Sequence, residues 1–323
     1  MTEERGSSKP NFLGKKAKGN MIRWKKTGLI IRPDPKLFWC KTHAMIPTPY
    51  PIGDGVYKIY FSGRNAQNQS HIGFATVSLR GKLEVLNICK KPVLSPGKLG
   101  CFDDNGVTPS CVLRINSREL ALYFIGWNPG STTRMNLFGG LAISRDRGET
   151  FQRWSDAPIL ERCRCDPLIN TAPWVVKEGQ RYRMFYVSGT EWKHKDLPRY
   201  NIKTCLSRDG KSWSRDGKVA IKFKNNQENA LARPYVLKEK SLWRMWFSHK
   251  GPAYRLGYAE SRDGLHWKRN DLIANLKPST EGFDSEMIEY AAVVKYKGRH
   301  FMFYNGNNYG REGIGLAVEE ACG

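Results

Sequence analysis

Carboxylates recur at one phase of this sequence, and that recurrence is the feature most able to do chemistry. Asp103 and Asp104 are followed by Asp166, then by Glu228, and last by Asp284, Glu286 and Glu289, at intervals of about sixty residues. Each precedes a short apolar run, so each stands at the start of an element that could aim it at a shared cavity. Carboxyls gathered around one cavity can divide the work of breaking a glycosidic bond. One, kept protonated, gives its proton to the leaving oxygen, and another, ionised, acts as base or nucleophile. The same phase at the head of the series holds His43 instead of an acid, and an imidazole can carry a proton in either direction near neutral pH. Three assignments stay open: His43 as acid or base, Asp104 with Asp166 as the working pair, or Glu286 with Glu289. The plain alternative for any one of these acids is a turn cap or an ion pair with a nearby arginine. For the whole set that alternative is weaker, because converging charges at a cavity mouth are costly unless they are used.

Around the acids stand groups suited to hold a ligand. Asp103, Glu228, Arg233, Glu289 and Tyr290 lie beside the same apolar runs, and Arg64, His249 and Trp127 lie near the ends of the strands that follow. Arg64, Arg233 and His249 could hold an oxyanion, as fixed guanidinium groups do, which would admit a phosphorolytic reaction. Trp127, with Trp39, Trp174, Trp192 and Tyr309, offers flat rings that stack on a sugar face or pack between sheets. The polar insertion Trp192-Lys-His-Lys-Asp-Leu-Pro-Arg-Tyr200 reads as a basic rim loop facing an anionic substrate. Cys163-Arg-Cys165 is too sparse a cysteine spacing for a zinc site, and no loop carries calcium-ligand spacing. No metal and no cofactor is expected.

The elements that must position these groups are periodic. Ser207-Arg-Asp-Gly-Lys-Ser-Trp213 recurs as Ser261-Arg-Asp-Gly-Leu-His-Trp267 and, with one inserted residue, as Ser144-Arg-Asp-Arg-Gly-Glu-Thr-Phe151. Asp-Gly is a strong hairpin signal, since glycine takes positive φ freely and aspartate tolerates it. Each copy predicts a tight turn between the last two strands of a repeat. Aromatic-rich alternating runs such as Tyr57-Lys-Ile-Tyr-Phe-Ser62 and Trp243-Arg-Met-Trp-Phe-Ser248 predict strands of one kind, enriched in residues that pack well on a pleated surface. Ahead of each lies a shorter apolar run, often opened by a proline, with anchors at Pro49, Pro109, Pro173, Pro234 and Ala291. The last repeat has no room for a fourth strand, and Arg23-Trp-Lys-Lys-Thr-Gly-Leu-Ile-Ile-Arg-Pro33 resembles the fourth-strand segment beginning His266-Trp-Lys-Arg. The N-terminal segment is therefore expected to supply it. The predicted fold is all-β, a five-bladed β-propeller of four-stranded antiparallel blades whose ring is closed by the N-terminal strand. It forms one domain over residues 21–323, because two β-sandwich domains would not explain in-phase repeats and matching ends.

Composition narrows the partners. A hydrophobic content of 40% over 323 residues is that of a folded chain, and the net charge of +23 draws anionic partners. Residues 1–20 read as a basic, solvated tail. There is no basic helix and no nucleic-acid motif, so nucleic acid is not expected. Neither an apolar leader nor a run long enough to span a bilayer is found, which predicts a cytoplasmic protein without a transmembrane segment, its thiols reduced.

With sixty-residue repeats, acids before the first strands and the Ser-Arg-Asp-Gly-x-x-Trp turn, the chain resembles the five-bladed propeller glycosidases, notably glycoside hydrolase families 32, 43, 68, 117 and 130. No single family is matched. The resemblance implies a carbohydrate-active enzyme working on a glycosidic linkage by hydrolysis, phosphorolysis or transfer, with a carbohydrate substrate that the charge suggests is anionic or phosphorylated. It also implies a catalytic acid on the first blade, where this sequence has His43, and acids on the second and third, where it has Asp103 or Asp104 and Asp166. Arg164-Cys-Asp166-Pro167 is similar to the Arg-Asp-Pro element of family 32 with a cysteine interposed. The missing first acid keeps a second class of function open, a non-catalytic propeller that binds a glycan or a protein.

Overall fold

The computed structural model describes residues 22–320. The basic tail expected over residues 1–20 lies outside the described residues. Apart from a 3-10 turn at Asp271–Ile273 and a helical turn at Asn307–Gly310, the regular elements are strands. Among the described residues no helix is long and apolar enough to cross a membrane.

The strands form antiparallel groups. Thr42–Gly53, Val56–Arg64, Ser70–Ser78 and Glu84–Ile88 pair in order, followed by Gly106–Arg114, Leu120–Pro129, Met135–Ser144 and Gln152–Arg153. The third group is Asn170–Glu178, Arg181–His194, Leu197–Ser207 and Val219–Ile221, and the fourth is Ala230–Glu239, Leu242–Lys250, Tyr254–Ser261 and Lys268–Arg269. The last group holds Glu289–Tyr296, Arg299–Asn305 and Ile314–Glu319, and its outer place is taken by Trp24–Ile31. Single parallel bridges join neighbouring groups at Ser70 with Gly106, Phe138 with Asn170, and Tyr200 with Ala230.

The aromatic runs form the second strands, as expected, and these are buried on both faces. Consecutive residues Tyr60 and Phe61, Tyr123 and Phe124, Phe185 and Tyr186, Trp246 and Phe247, and Phe303 and Tyr304 are all sealed from solvent. Both faces are covered because each group packs against its neighbours, which is why the runs are rich in aromatic and β-branched side chains. Tyrosine hydroxyls link the groups: Tyr60 donates to Gly148 O at 2.9 Å, Tyr123 to Gly210 O at 2.9 Å and Tyr235 to Val293 O at 2.8 Å.

Each first strand outside the second group carries a bulge at one phase. Ile46, Ala172, Arg233 and Tyr290 take left-handed φ values of 55, 51, 51 and 56°, and the register skips at Thr171/Trp174, Ala232/Tyr235 and Glu289/Ala292. A non-glycine residue there costs about 1–2 kcal/mol, a strain found where a bulge re-aims a side chain. Pro47, Pro173 and Pro234 follow at once, since a bulge leaves an amide unpaired and proline loses nothing by lacking one.

The repeated Ser-Arg-Asp-Gly segment is wider than a two-residue hairpin. In the fourth group the third strand ends at Ser261 and pairing resumes at Lys268. Only the glycine, Gly210 at 72° and Gly264 at 70°, has positive φ. The aspartate is instead a cap: Asp209 Oδ1 accepts from the backbone of Lys211 and Ser212, each at 2.8 Å, while the Ser207 hydroxyl accepts from Gly210 N at 2.8 Å and donates to Asp209. The Ser207→Ala variant should lose about 1–3 kcal/mol, the cost of a buried amide left without its acceptor, read as a lower denaturation midpoint with an unchanged denaturant slope.

Candidate functional site

The first strands begin around a cavity of about 320 Å³. The bulges turn Ile46 and Tyr290 into it. Ser70 and Tyr254, which open their third strands, and Tyr200, the fourth residue of Leu197–Ser207, line its sides; Arg64 ends the first group's second strand, and the connections between second and third strands add Asn68 and Arg134. Trp127 and Tyr309 complete the aromatic wall. A larger hollow of about 770 Å³ lies among the fourth strands, lined by Lys218, Lys222 and Lys224, and does not reach the first strands. The central cavity is the better candidate because it holds charged and titratable groups that the fold itself leaves unsatisfied.

Among the described residues, no aspartate or glutamate lines it. Arg64 donates to Asn68 Oδ1 at 3.0 Å and lies against Met45 Sδ at 3.5 Å, and neither Arg64 nor Arg134 has a carboxylate partner among the described residues. Burial pushes the Arg64 guanidinium below its ordinary range, Tyr290 and Tyr309 partly restore it, and Arg134 depresses it again. Opposite stand the tyrosines, with the Tyr200 and Tyr254 hydroxyls 2.7 Å apart. Burial raises Tyr200 to about 12 and lifts Tyr254 and Tyr290 well above their ordinary value.

Glu289 lies behind them, fully buried, with neither carboxyl oxygen in hydrogen-bond geometry with a partner. Burial pushes its carboxyl far above the usual carboxylate range, and the Tyr290 hydroxyl and Lys250 ammonium only partly offset this. Burial thus favours its protonated form, and a buried acid that keeps its proton is a proton source.

The periodic acids have another fate. Asp103 is buried against Arg153 at 2.7 Å, and burial pushes its carboxyl up in spite of that partner. Asp166 accepts from Lys203, Tyr186 and Ser188, each at 2.8 Å. Burial alone would raise it, but these bonds hold it below the ordinary range. Glu228 is clasped by Arg269 and lies 3.3 Å from His249 Nδ1, bonds that outweigh burial and depress it strongly. Asp284 takes Lys26 at 2.6 Å and the Tyr304 hydroxyl at 2.9 Å. The convergence expected of these acids is therefore corrected: each is consumed within its own group.

The other expected residues divide. Arg64, Trp127 and Tyr290 line the cavity. Asp104 accepts from Gly100 N and Asn128 Nδ2 beside it, and Glu286 is exposed, its amide held by Asn307. His249 serves Glu228. His43 bonds the Thr42 hydroxyl at 2.9 Å, and burial with Arg64 and Arg311 lowers it to about 4, so it is uncharged at neutral pH and a poor proton donor. Arg233 is buried and bonds Pro47 O and Thr48 Oγ1 at 2.9 Å, stacked on Trp174 and Tyr235. Burial lowers it to about 10. Trp39 and Trp174 are buried core. Cys163 and Cys165 come within 3.4 Å of each other beside Asp166, but Lys203 and Arg215 on the same carboxylate oppose a metal cation there. Arg134, Tyr200 and Tyr254 were not anticipated. The two tyrosines had a signal, since each stands two residues before the start of an apolar third-strand run, at Ile202 and Leu256, whereas Arg134 sits in a connection with no periodic marker.

Two substitutions separate these acids. Asp166→Asn should cost about 3–5 kcal/mol at pH 7, because it strands buried cations. A depressed folded value means that the Asp166 contribution is present above the unfolded carboxylate range and lost as pH falls through the folded value, so the variant should also unfold with a flatter pH dependence below about pH 4. Glu289 has the opposite sign. Its raised folded value favours the proton, so the stability it contributes is present below the unfolded carboxylate range and declines as pH rises above that range, and Glu289→Gln should gain relative to wild type in thermal melts as pH rises from about 5.

No family model matches the chain. Two solved structures share its fold over most of their length. The solved "Glycoside hydrolase" aligns with a TM-score of 0.72 at 20% identity, covering 94% of this chain and 93% of that one. A structure from "The GH130 family of mannoside phosphorylases contains glycoside hydrolases that target beta-1,2 mannosidic linkages in Candida mannan" aligns at 0.70 with 13% identity, covering 97% and 96%. At such identities the likeness is one of fold, that of the glycoside hydrolase-like propeller proteins. In sequence, the chain is 39% identical over 300 residues to the "Uncharacterized protein Rv1502" of Mycobacterium tuberculosis (strain ATCC 25618 / H37Rv), covering 93% of this chain and 100% of the relative. Identity at that level, carried from end to end of the relative, means that this chain belongs to the family of the Mycobacterium tuberculosis protein Rv1502.

Proposed function

We propose that this protein is a carbohydrate-active enzyme acting on a glycosidic linkage of an anionic sugar, and that the cavity between Arg64, Arg134 and the tyrosines is where it acts. One observation carries the reading: two guanidiniums without carboxylate partners among the described residues share a cavity with four tyrosines, beside the buried Glu289, whose carboxyl is pushed up by burial. Guanidinium groups seat a carboxylate or phosphate with paired hydrogen bonds. Tyrosine offers a flat face to a sugar ring and a hydroxyl to its polar edge. The net charge of +23 favours capture of an anionic ligand, and the fold shared with glycoside hydrolases and mannoside phosphorylases supports the reaction class.

In this reading Tyr290 gives its proton to the leaving glycosidic oxygen as the C–O bond breaks, and Glu289 refills the tyrosine. The incoming water forms the new C–O bond, and its proton returns through Tyr290 to Glu289.

The scaffold, in the same reading, is one domain over residues 21–323, a five-bladed propeller closed by Trp24–Ile31. Three contacts support closure: Trp24–Ile31 pairs with Ile314–Glu319, Lys26 pairs with Asp284, and the Asn305 side chain bonds both Ile46 N and Ala44 O at 2.7 Å. The seven described cysteines are unpaired, in keeping with a reducing, cytoplasmic setting. A second reading, a propeller that binds an anionic glycan without cleaving it, is favoured by the absence of any carboxylate from the cavity wall among the described residues.

A product screen over acidic and neutral oligosaccharides, with and without phosphate, tests both. Wild type should turn over acidic substrates, and Arg64→Ala/Arg134→Ala should lower kcat/KM by at least about 100-fold, the loss of two charge-assisted contacts. Glu289→Gln should lower kcat while sparing binding, and wild-type activity should fall as pH rises through the Glu289 value. Binding without turnover would select the second reading, and full activity in the double arginine variant would remove the site.

A further inference from the structure

A second hollow of about 490 Å³ adjoins the central cavity, sharing Met135 and Leu137 as a common wall. It exists because one hairpin is longer than the rest. Arg181–His194 runs for 14 residues, against 9, 10, 9 and 7 for the other second strands. Its tip meets the hairpin before it, where Arg134 N donates to Lys195 O at 3.0 Å. This carries Trp192 over the hollow. On the facing side stands Arg162, whose Nη2 donates to Asn136 Oδ1 at 2.7 Å and whose guanidinium lies 5.3 Å over the Phe138 ring. It has no carboxylate partner among the described residues. The hollow thus repeats the chemistry of the central cavity: an unpaired guanidinium held in a fixed orientation, with an aromatic ring nearby. Fixing the guanidinium beforehand reduces the ordering cost of binding an anion.

Resting on the proposed reading of the central cavity, we infer that the hollow is a second anion subsite, and that the ligand is an oligosaccharide with anionic groups on neighbouring residues. Arg64 and Arg134 seat the first charged residue. Arg162 seats the second, with Trp192 against its ring. A ligand bearing a single charge would leave Arg162 unused.

Inorganic sulfate tests this without knowledge of the sugar. Crystals of the full chain soaked in a low-millimolar sulfate series should show an ion on Arg64 and Arg134 and another on Arg162. Arg162→Ala should lose only the second, and Arg64→Ala/Arg134→Ala only the first. Sulfate in the central cavity alone would overturn the second subsite and leave the proposed function standing. Absence from the central cavity would overturn both, whatever Arg162 binds. Among acidic oligosaccharides that wild type turns over, Arg162→Ala should raise KM about tenfold for those with two charged residues, the loss of one charge-assisted contact, and leave those with one unchanged. An equal effect on both kinds would also sink the inference.

Discussion

The structure depends on one repeated interaction, a buried carboxylate before a first strand tied to a cation from the outer part of the same group. Asp103 with Arg153, Asp166 with Lys203, Glu228 with Arg269 and Asp284 with Lys26 are versions of it. A carboxylate removed from water must be matched by charge and hydrogen bonds. The match therefore fixes where each connecting segment lies before it descends into its first strand. The last copy takes its cation from the N-terminal strand, so that strand does more than cover an edge. It completes the electrostatics of the final group.

Because these acids are neutralised at home, the charges facing the central cavity are of another kind. The first two groups contribute the guanidiniums of Arg64 and Arg134, and the last three contribute Tyr200, Tyr254, Tyr290 and Tyr309. The cavity is consequently polar in a directional sense, cationic on one side and proton-rich on the other. The strained bulges at Ile46, Arg233 and Tyr290 serve this arrangement. They bring two side chains to the cavity and send the third across to Pro47 and Thr48, joining the fourth group to the first.

Glu289 and Asp166 show how burial alone leaves the role of an acid undecided. Both are sealed from solvent. Asp166 receives three strong donors and is held below the ordinary carboxylate range, whereas Glu289 receives none with good geometry among the described residues and is pushed above it. Their opposite states follow from their partners, which come from strands distant in the chain.

The strand order was legible in the chain itself. The phase of the proline-led runs, the aromatic runs and the Ser-Arg-Asp-Gly segments marks where strands begin and end, because these are local properties of backbone and side chain. Even the likeness of the first tryptophan segment to the later one beginning His266-Trp267 pointed to the pairing found for Trp24–Ile31. The turn geometry was misjudged because an Asp-Gly pair serves equally as a tight hairpin and as a capped loop, and only the Ser207 hydroxyl bonds distinguish them. What the sequence by itself determined was therefore periodicity, and with it the fold and the list of residues at each phase. Which of those residues faces the cavity was decided by tertiary structure alone. The partner that neutralises Asp103, Asp166 or Glu228, and the absence of one for Glu289, Arg64 and Arg134 among the described residues, depend on contacts between segments that chain spacing does not encode.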